Sequence, residues 1–337
     1  MQRFRKVLGP ANVLGGLALA TPSHAGIFRA YLSLNGSDAN PCTLPAPCRL
    51  LPAALAAVND GGEIWMLDSA NFNAGPVTID KAVTILAIPG ALGSVVASGP
   101  VGLTVATTGA VTLRNLNILP LPGSESGAGI SVTQAGTVTV QDSNITGFNN
   151  MGAGLTVTAA ARATVLNSVL RGNATAALVS AGARLSLMDS TILDSDTAIA
   201  VNAFFPDETA HVALTRSKVR GGTNGIVAAA SSGNGQVNVD IAESRFEDVS
   251  SVAVSVSALL TTTARLMLAR SVITRSGTGV TLNGAAGARG YFTGNAISGN
   301  TLGVNISALT TGNSDGTNLI RGNGTDVQGS LPTAAGQ

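Results

Sequence analysis

Val212-Ala-Leu-Thr-Arg-Ser-Lys-Val219 returns 27 residues on as Val239-Asp-Ile-Ala-Glu-Ser-Arg-Phe246, and 27 further on as Leu266-Met-Leu-Ala-Arg-Ser-Val-Ile273. Each copy sets apolar residues at alternate positions, then reaches a Ser, then one more residue and another apolar side chain. Extended in both directions, the alignment yields an apolar column of Leu113, Val140, Val165, Leu187, Leu214, Ile241, Leu268 and Phe292. A small polar column follows: Ser143, Ser168, Ser190, Ser217, Ser244, Ser271, Asn295 and Asn318. Its intervals run 25, 22, 27, 27, 27, 24 and 23 residues. Two residues later comes a second apolar column, Ile145, Leu170, Ile192, Val219, Phe246, Ile273, Ile297 and Ile320.

Parity makes these columns informative. Leu214 and Val219 are five apart, so strict alternation cannot bury both, and the chain has to bend between them. The bend is expected at the Ser or Asn, which tolerates turn conformations and satisfies backbone groups with its side chain. A companion pattern, small-apolar-x-apolar, recurs as Gly102-Leu-Thr-Val105, Gly129-Ile-Ser-Val132, Gly154-Leu-Thr-Val157, Gly225-Ile226, Gly279-Val-Thr-Leu282 and Gly303-Val-Asn-Ile306. A repeat near 25 residues with three short strands per repeat describes a parallel β-helix, rising about 4.8 Å per coil.

Composition agrees. The 337 residues are 45% apolar with 41 Gly but only 8 Phe, 2 Tyr and 1 Trp. A thin layered core of Val, Ile, Ala and Gly needs few rings. The balance of 19 bases against 18 acids argues against a nucleic-acid binder or an acidic disordered tail. The longest uncharged internal run, Ala82 to Leu113, is broken by Pro89, Pro100 and glycines, so no internal segment reads as a transmembrane span.

Residues 1–25 read as a secretory signal peptide: basic Arg3, Arg5 and Lys6, apolar Val13 to Ala20, then small residues before Gly26. Cleavage after Ala25 removes three of the 19 bases, leaving 16 against 18 acids, a charge of −2. Export allows oxidation, and Cys42 and Cys48, separated by a loop with two prolines, are expected to form a local disulfide. Free thiols are the alternative.

The strand–Ser/Asn–strand pattern resembles right-handed parallel β-helix proteins of the pectate-lyase-like fold, in which an Asn commonly holds the ladder position. Here Ser takes that position six times, with Asn only at Asn295 and Asn318. The opening Tyr31 to Ile88 is similar to the entry of many secreted β-helix proteins: a strand, a turn with Gly36 and Asp38, a capping helix near Arg49 to Val58, then Gly61-Gly62 into the first coil. Leu50, Leu51, Leu55 and Val58 would cover the apolar end of the solenoid. The fold class is therefore all-β: a right-handed parallel β-helix of about ten coils with a short N-terminal capping helix. Residues 26–76 form the cap and 77–337 the coils, and the segment after Asn323 reads as a loose terminal coil.

The resemblance implies lyases with clustered Asp residues for calcium and an Arg base, or hydrolases with several Asp residues and a Gly-His-Gly segment. Neither set is visible in the sequence. Three features bear on function instead. Asp189, Arg216, Glu243 and Arg270, each just before the ladder residue, should alternate in sign down one edge: a surface charge ladder, or else an anionic-sugar groove. Three successive coils carry longer links, Asn202–His211, Ala229–Asn238 and Ser257–Arg265, which should lie side by side as loops. The first holds Phe204, Phe205, Asp207, Glu208 and His211, aromatics beside carboxylates that suit sugar binding; the alternative is that the phenylalanines shield the core. Asp194 and Asp196 flank Ser195 and could offer oxygens to calcium, though turn-forming Asp explains them as well. Calcium apart, no cofactor is expected.

The sequence favours an exported solenoid, secreted or held in the periplasm or at the cell surface. It would be a non-catalytic interaction or glycan-binding protein, with an extracellular polysaccharide or cell-surface partner. A polysaccharide lyase, hydrolase or epimerase, and a purely structural or assembly protein, stay open beside it.

Overall fold

The computed structural model describes residues 26–124, 127–150 and 152–333; the expected signal peptide lies outside them. Three all-parallel sheets wrap one core. The first has twelve strands, from Ile27–Leu32 and Val58–Met66 through Thr209–Thr215 to Thr311–Ser314. The second, with eleven, runs from Val77–Ile79 through Thr197–Ala203 to Thr325–Gln328, and the third, also eleven, from Ala70–Asn71 through Lys218–Arg220 to Leu319–Ile320. Each coil visits the second, first and third sheets in turn. Among the described residues no helix is long and apolar enough to cross a membrane.

The apolar columns stack in register. On the first sheet Val140 pairs with Leu113 and Val165, and the series continues through Leu187, Leu214, Ile241 and Leu268 to Phe292. On the third sheet Ile192, Val219, Phe246, Ile273 and Ile297 stack likewise. All of these are buried. The small residues of the companion pattern sit where the next coil's carbonyl approaches closely. A Cβ on Gly225 would lie 2.1 Å from the Ala253 carbonyl oxygen, and one on Gly129 would lie 2.7 Å from that of Gly154.

The bend itself falls one residue earlier than expected. The left-handed residue precedes the ladder Ser: φ is 51° at Asp142, 44° at Asn167, 51° at Asp189, 45° at Arg216, 52° at Glu243 and 44° at Arg270. Side chains rarely tolerate this conformation, so the neighbours have to impose it. The Ser column does so from inside the turn. Each backbone N–H donates to the ladder side chain of the next coil: Ser143 to Ser168 Oγ at 3.1 Å, Ser190 to Ser217 Oγ at 3.2 Å, Ser271 to Asn295 Oδ1 at 3.0 Å. Each Oγ in turn donates to the carbonyl two residues back, as Ser217 does to Thr215 at 2.9 Å. Ser217→Ala therefore strands the buried Ser190 N–H and is expected to cost about 1–3 kcal/mol. Ser217→Asn should recover most of that, because Asn295 already fills the same role; urea unfolding midpoints of the two variants decide it.

A second ladder, which the sequence reading missed, runs down the other bend, between the third and second sheets. The Phe148 N–H donates to Asn173 Oδ1 at 3.1 Å, Ser276 to Asn300 Oδ1 at 2.8 Å and Asn300 to Asn323 Oδ1 at 3.0 Å. Gly222 and Val249 interrupt it.

At the N-terminal end the helix spans Leu51–Ala57, shorter than expected, and buries Leu51, Ala54 and Leu55. Leu50 is only half-buried and acts as its N-cap residue. Cys42 and Cys48 are bonded, with Cα atoms 4.6 Å apart. The segment after Asn323 is not loose: Thr325–Gln328 pairs with Leu302–Ile306, and Leu331 packs on the last core layer.

Candidate functional site

The three long links are not long loops. Their ends continue the strands, which widen from five residues in Ala153–Val157 and Arg162–Leu166 to seven in Thr197–Ala203 and Thr209–Thr215. Asn202 pairs with Ala229, and His211 with Asn238. The added residues keep the alternation, so Ala203, Ala210, Ala230, Val237 and Ala258 are buried and the coil cross-section grows. What remains outside the strands is a short corner: Phe204–Glu208, Ser231–Gly235, Leu259–Thr262.

Phe204 and Phe205 stay in solvent at that corner, 54% and 65% exposed, and do not shield the core. The carboxylates beside them hold the turn. Glu208 accepts from the Phe205 N–H at 3.1 Å, and Asp207, itself left-handed with φ of 62°, accepts from Asn234 at 3.1 Å. His211 faces outward on the first sheet and meets Asp240 on the next coil, Nε2 to Oδ2 2.9 Å. Each polar member of the expected group therefore has its own structural partner.

The expected charge ladder splits into separate ion pairs. Arg216 binds Asp189 through two bonds of 2.8 and 2.9 Å, and Arg270 reaches Glu243 at 3.0 Å. The guanidinium holds the Asp189 carboxyl below its ordinary range, and Asp189 raises Arg216, the opposite of what a general base requires. All four side chains are about half exposed, so solvent screens each pair and it adds little to stability. Asp194 is the left-handed residue of the second bend, Asp196 accepts from Thr223 at 2.7 Å, and Ser195 between them is a ladder residue. Among the described residues no three His, Cys, Asp or Glu side chains gather as a metal site.

The densest group of charges lies elsewhere, on the outer face of the third sheet, and was not anticipated. Glu247 is covered by Lys218 at 2.8 Å and by Arg245, with Arg275 at 3.9 Å. Asp248 beside it binds Arg275 at 2.7 Å and Arg220 at 3.4 Å. Glu247 is only 7% exposed although it points away from the core, because the cations lie over it. Hydrogen bonds from Lys218 and then Arg245 hold its carboxyl below the ordinary value, and Arg275 does the same for Asp248.

The three stacked parallel sheets and the two side-chain ladders define a parallel β-helix, and its right hand follows from the family model described as right handed beta helix region, which residues 101–266 match. The fold is pectate-lyase-like: a crystal structure of pectate lyase Pel9A superposes with a TM-score of 0.57 at 16% identity, covering 86% of this chain and 79% of that one. A GH136 lacto-N-biosidase from Eubacterium ramulus aligns at 0.47 and 11% identity over 90% of this chain and 67% of its own. A rhamnogalacturonan lyase aligns at 0.39 and 12% over 84% and 83%. No curated protein sequence matches the chain.

Proposed function

We propose that this is an exported β-helix protein that binds glycan on its outer surface and does not cleave it. The observation that carries the proposal is how the carboxylates are used. Asp80 apart, every carboxylate among the described residues accepts a hydrogen bond or ion pair that holds a turn, a cap or two neighbouring coils together, as at Asp142–Arg114, Asp189–Arg216 and Asp240–His211. The outer face of the second sheet, from Thr104 through Ser131, Thr156, Ala200 and Thr281 to Asn305, is uncharged. Glycoside hydrolysis needs two carboxylates poised for proton transfer at a common point, and these are dispersed and engaged. The Cys42–Cys48 bond supports export to an oxidising compartment, secreted, periplasmic or at the cell surface.

The corner at Phe204 and Phe205 is the proposed contact for sugar rings, which stack on exposed aromatic faces. A glycan-array screen paired with a degradation assay on uronate polymers tests the reading. Binding without cleavage supports it, cleavage makes the protein an enzyme, and silence in both arms removes the glycan reading. Phe204→Ala with Phe205→Ala should weaken array binding at least about tenfold with an unchanged melting curve, because neither ring is buried. Undiminished binding would move the contact elsewhere.

A further inference from the structure

Basic side chains in this molecule have acceptors almost everywhere. In the coils Arg114, Arg171, Arg216, Arg270 and Arg275 each meet a carboxylate of an adjoining coil. Arg49 and Lys81 bond to backbone carbonyls in the cap. Five arginines among the described residues break the rule, one of them Arg321 near the C-terminal end. The other four, Arg162, Arg184, Arg265 and Arg289, make neither an ion pair nor a side-chain hydrogen bond among the described residues, and all four are exposed.

These four share one register position on the first sheet. Arg162 pairs with Arg184, Arg184 with His211, His211 with Asn238, Asn238 with Arg265, and Arg265 with Arg289. The column runs along the solenoid axis for six coils, or about 24 Å at the interstrand spacing. Like charges directly opposite on neighbouring strands destabilise a sheet, and this column does it twice. Thr137 and Thr311 occupy the same register position at its two ends, so the fold does not require arginine there. Beside Arg265 and Arg289 lies a shallow recess of about 390 Å³, walled by Gln236, Asn238, Thr263 and Tyr291. The Arg265 guanidinium sits 5.5 Å from the centre of the Tyr291 ring. Asp240, two residues along the strand from Asn238, is taken by His211.

We propose that this column binds a linear anionic polysaccharide laid along the solenoid axis, with sulfate or carboxylate groups on the arginine forks and sugar hydroxyls on Gln236, Asn238 and Thr263. The inference rests on the glycan-binding reading but places the contact on a different face from the Phe204 corner. Guanidinium matches planar carboxylate and tetrahedral sulfate through paired bonds. Amide and hydroxyl groups between the charges suit a hydroxyl-rich chain. A single-stranded nucleic acid would want successive aromatic platforms, and on the six strands of the column Tyr291 is the one outward-facing Phe, Tyr or Trp.

The test is isothermal titration at low and physiological salt with heparin, polygalacturonate, a neutral glucan and single-stranded DNA. The proteins are the native chain, Arg162→Thr with Arg184→Thr, and Arg265→Thr with Arg289→Thr. Threonine already stands at this register position, so both variants should fold, with melting temperatures unchanged or slightly raised as repulsion is relieved. The expected result is salt-sensitive binding of heparin or polygalacturonate, the two arms separating sulfate from carboxylate. Each double substitution should weaken it at least about tenfold, as losing charge-assisted bonds does. Anionic glycan binding that ignores both variants overturns the column. So does DNA binding as tight as glycan binding, which would make the site a general polyanion surface. Binding of neutral glycan alone overturns the column while leaving the glycan reading intact; no glycan binding at all overturns both.

Discussion

Phe246→Ala is expected to lower the unfolding free energy by about 3–5 kcal/mol, the range for deleting a fully buried ring. Phe246 is fully buried, stacked between Val219 and Ile273 in the third sheet. Its ring also touches the tight column: a Cβ on Gly225 would come within 3.2 Å of it. The layers above and below are fixed by backbone hydrogen bonds on all three sheets, so the void cannot close by sliding one strand. Because the repeats contact chiefly their neighbours, the loss should be felt first in the coils around residues 219–273. Hydrogen exchange would show protection falling in the strands Lys218–Arg220, Arg245–Glu247 and Val272–Thr274 before the cap. Uniform loss across the chain would mean that the solenoid unfolds as a single unit. Phe246→Leu, which keeps most of the volume, should recover more than half.

The second large effect is expected at Glu247. Removing its carboxylate leaves Lys218 and Arg245 without an ion-pair partner and Arg275 with Asp248 alone. Losing one partner of a buried pair costs about 3–5 kcal/mol; the cations here are half exposed, so Glu247→Ala should fall at the low end, near 3 kcal/mol or below. The same residue sets an acid dependence. Its folded value lies below the ordinary 4.5, as the value of Asp248 lies below 3.8. Their stabilisation is therefore complete above about pH 4.5 and is lost as the pH falls through the depressed folded values. Urea midpoints at pH 7, 4.5 and 3 should decline for the native chain and decline less for Glu247→Gln. Equal slopes would show that Glu247 titrates alike in the folded and unfolded chain.

The sequence carried the fold because two columns, Leu214 with its stacked equivalents and Ser217 with its own, repeat the same chemistry on every coil. The residue before the ladder was harder. Asp142, Asn167 and Asp189 belong to the types that tolerate left-handed backbone, but Arg216, Glu243 and Arg270 have no such liking, and there Ser217 and its neighbours impose it. The second ladder could have been read, since Asn173, Ser195, Ser276, Asn300 and Asn323 each follow a member of the first by five residues. Gly222 and Val249 in the same column hid it. For Phe204 and Phe205 the sequence leaves exposure and core-shielding both open, and the structure has them exposed; the long loop expected around them fails on parity, because Ala203, Ala210, Ala230 and Val237 continue the strand alternation into the link. The arginine column was also within reach, three residues before Val165, Leu187, Leu268 and Phe292. Its meaning was not, because only the paired strands show which basic groups lack a carboxylate.

The widening of the coils has a consequence for how such a chain can change length over evolution. Between the coil ending at Ser190 and the one ending at Ser217, each of two strands gains two residues and the corner gains one. Strand insertions are tolerated in pairs, because a single residue would turn every later side chain of that strand inside out. The odd residue has to go to the corner, where no side-chain parity is kept. Insertions and deletions are thereby filtered by an even-number rule along the sheets and accumulate at the Phe204–Glu208 corner and its equivalents. New surface chemistry can enter there without redrawing the core.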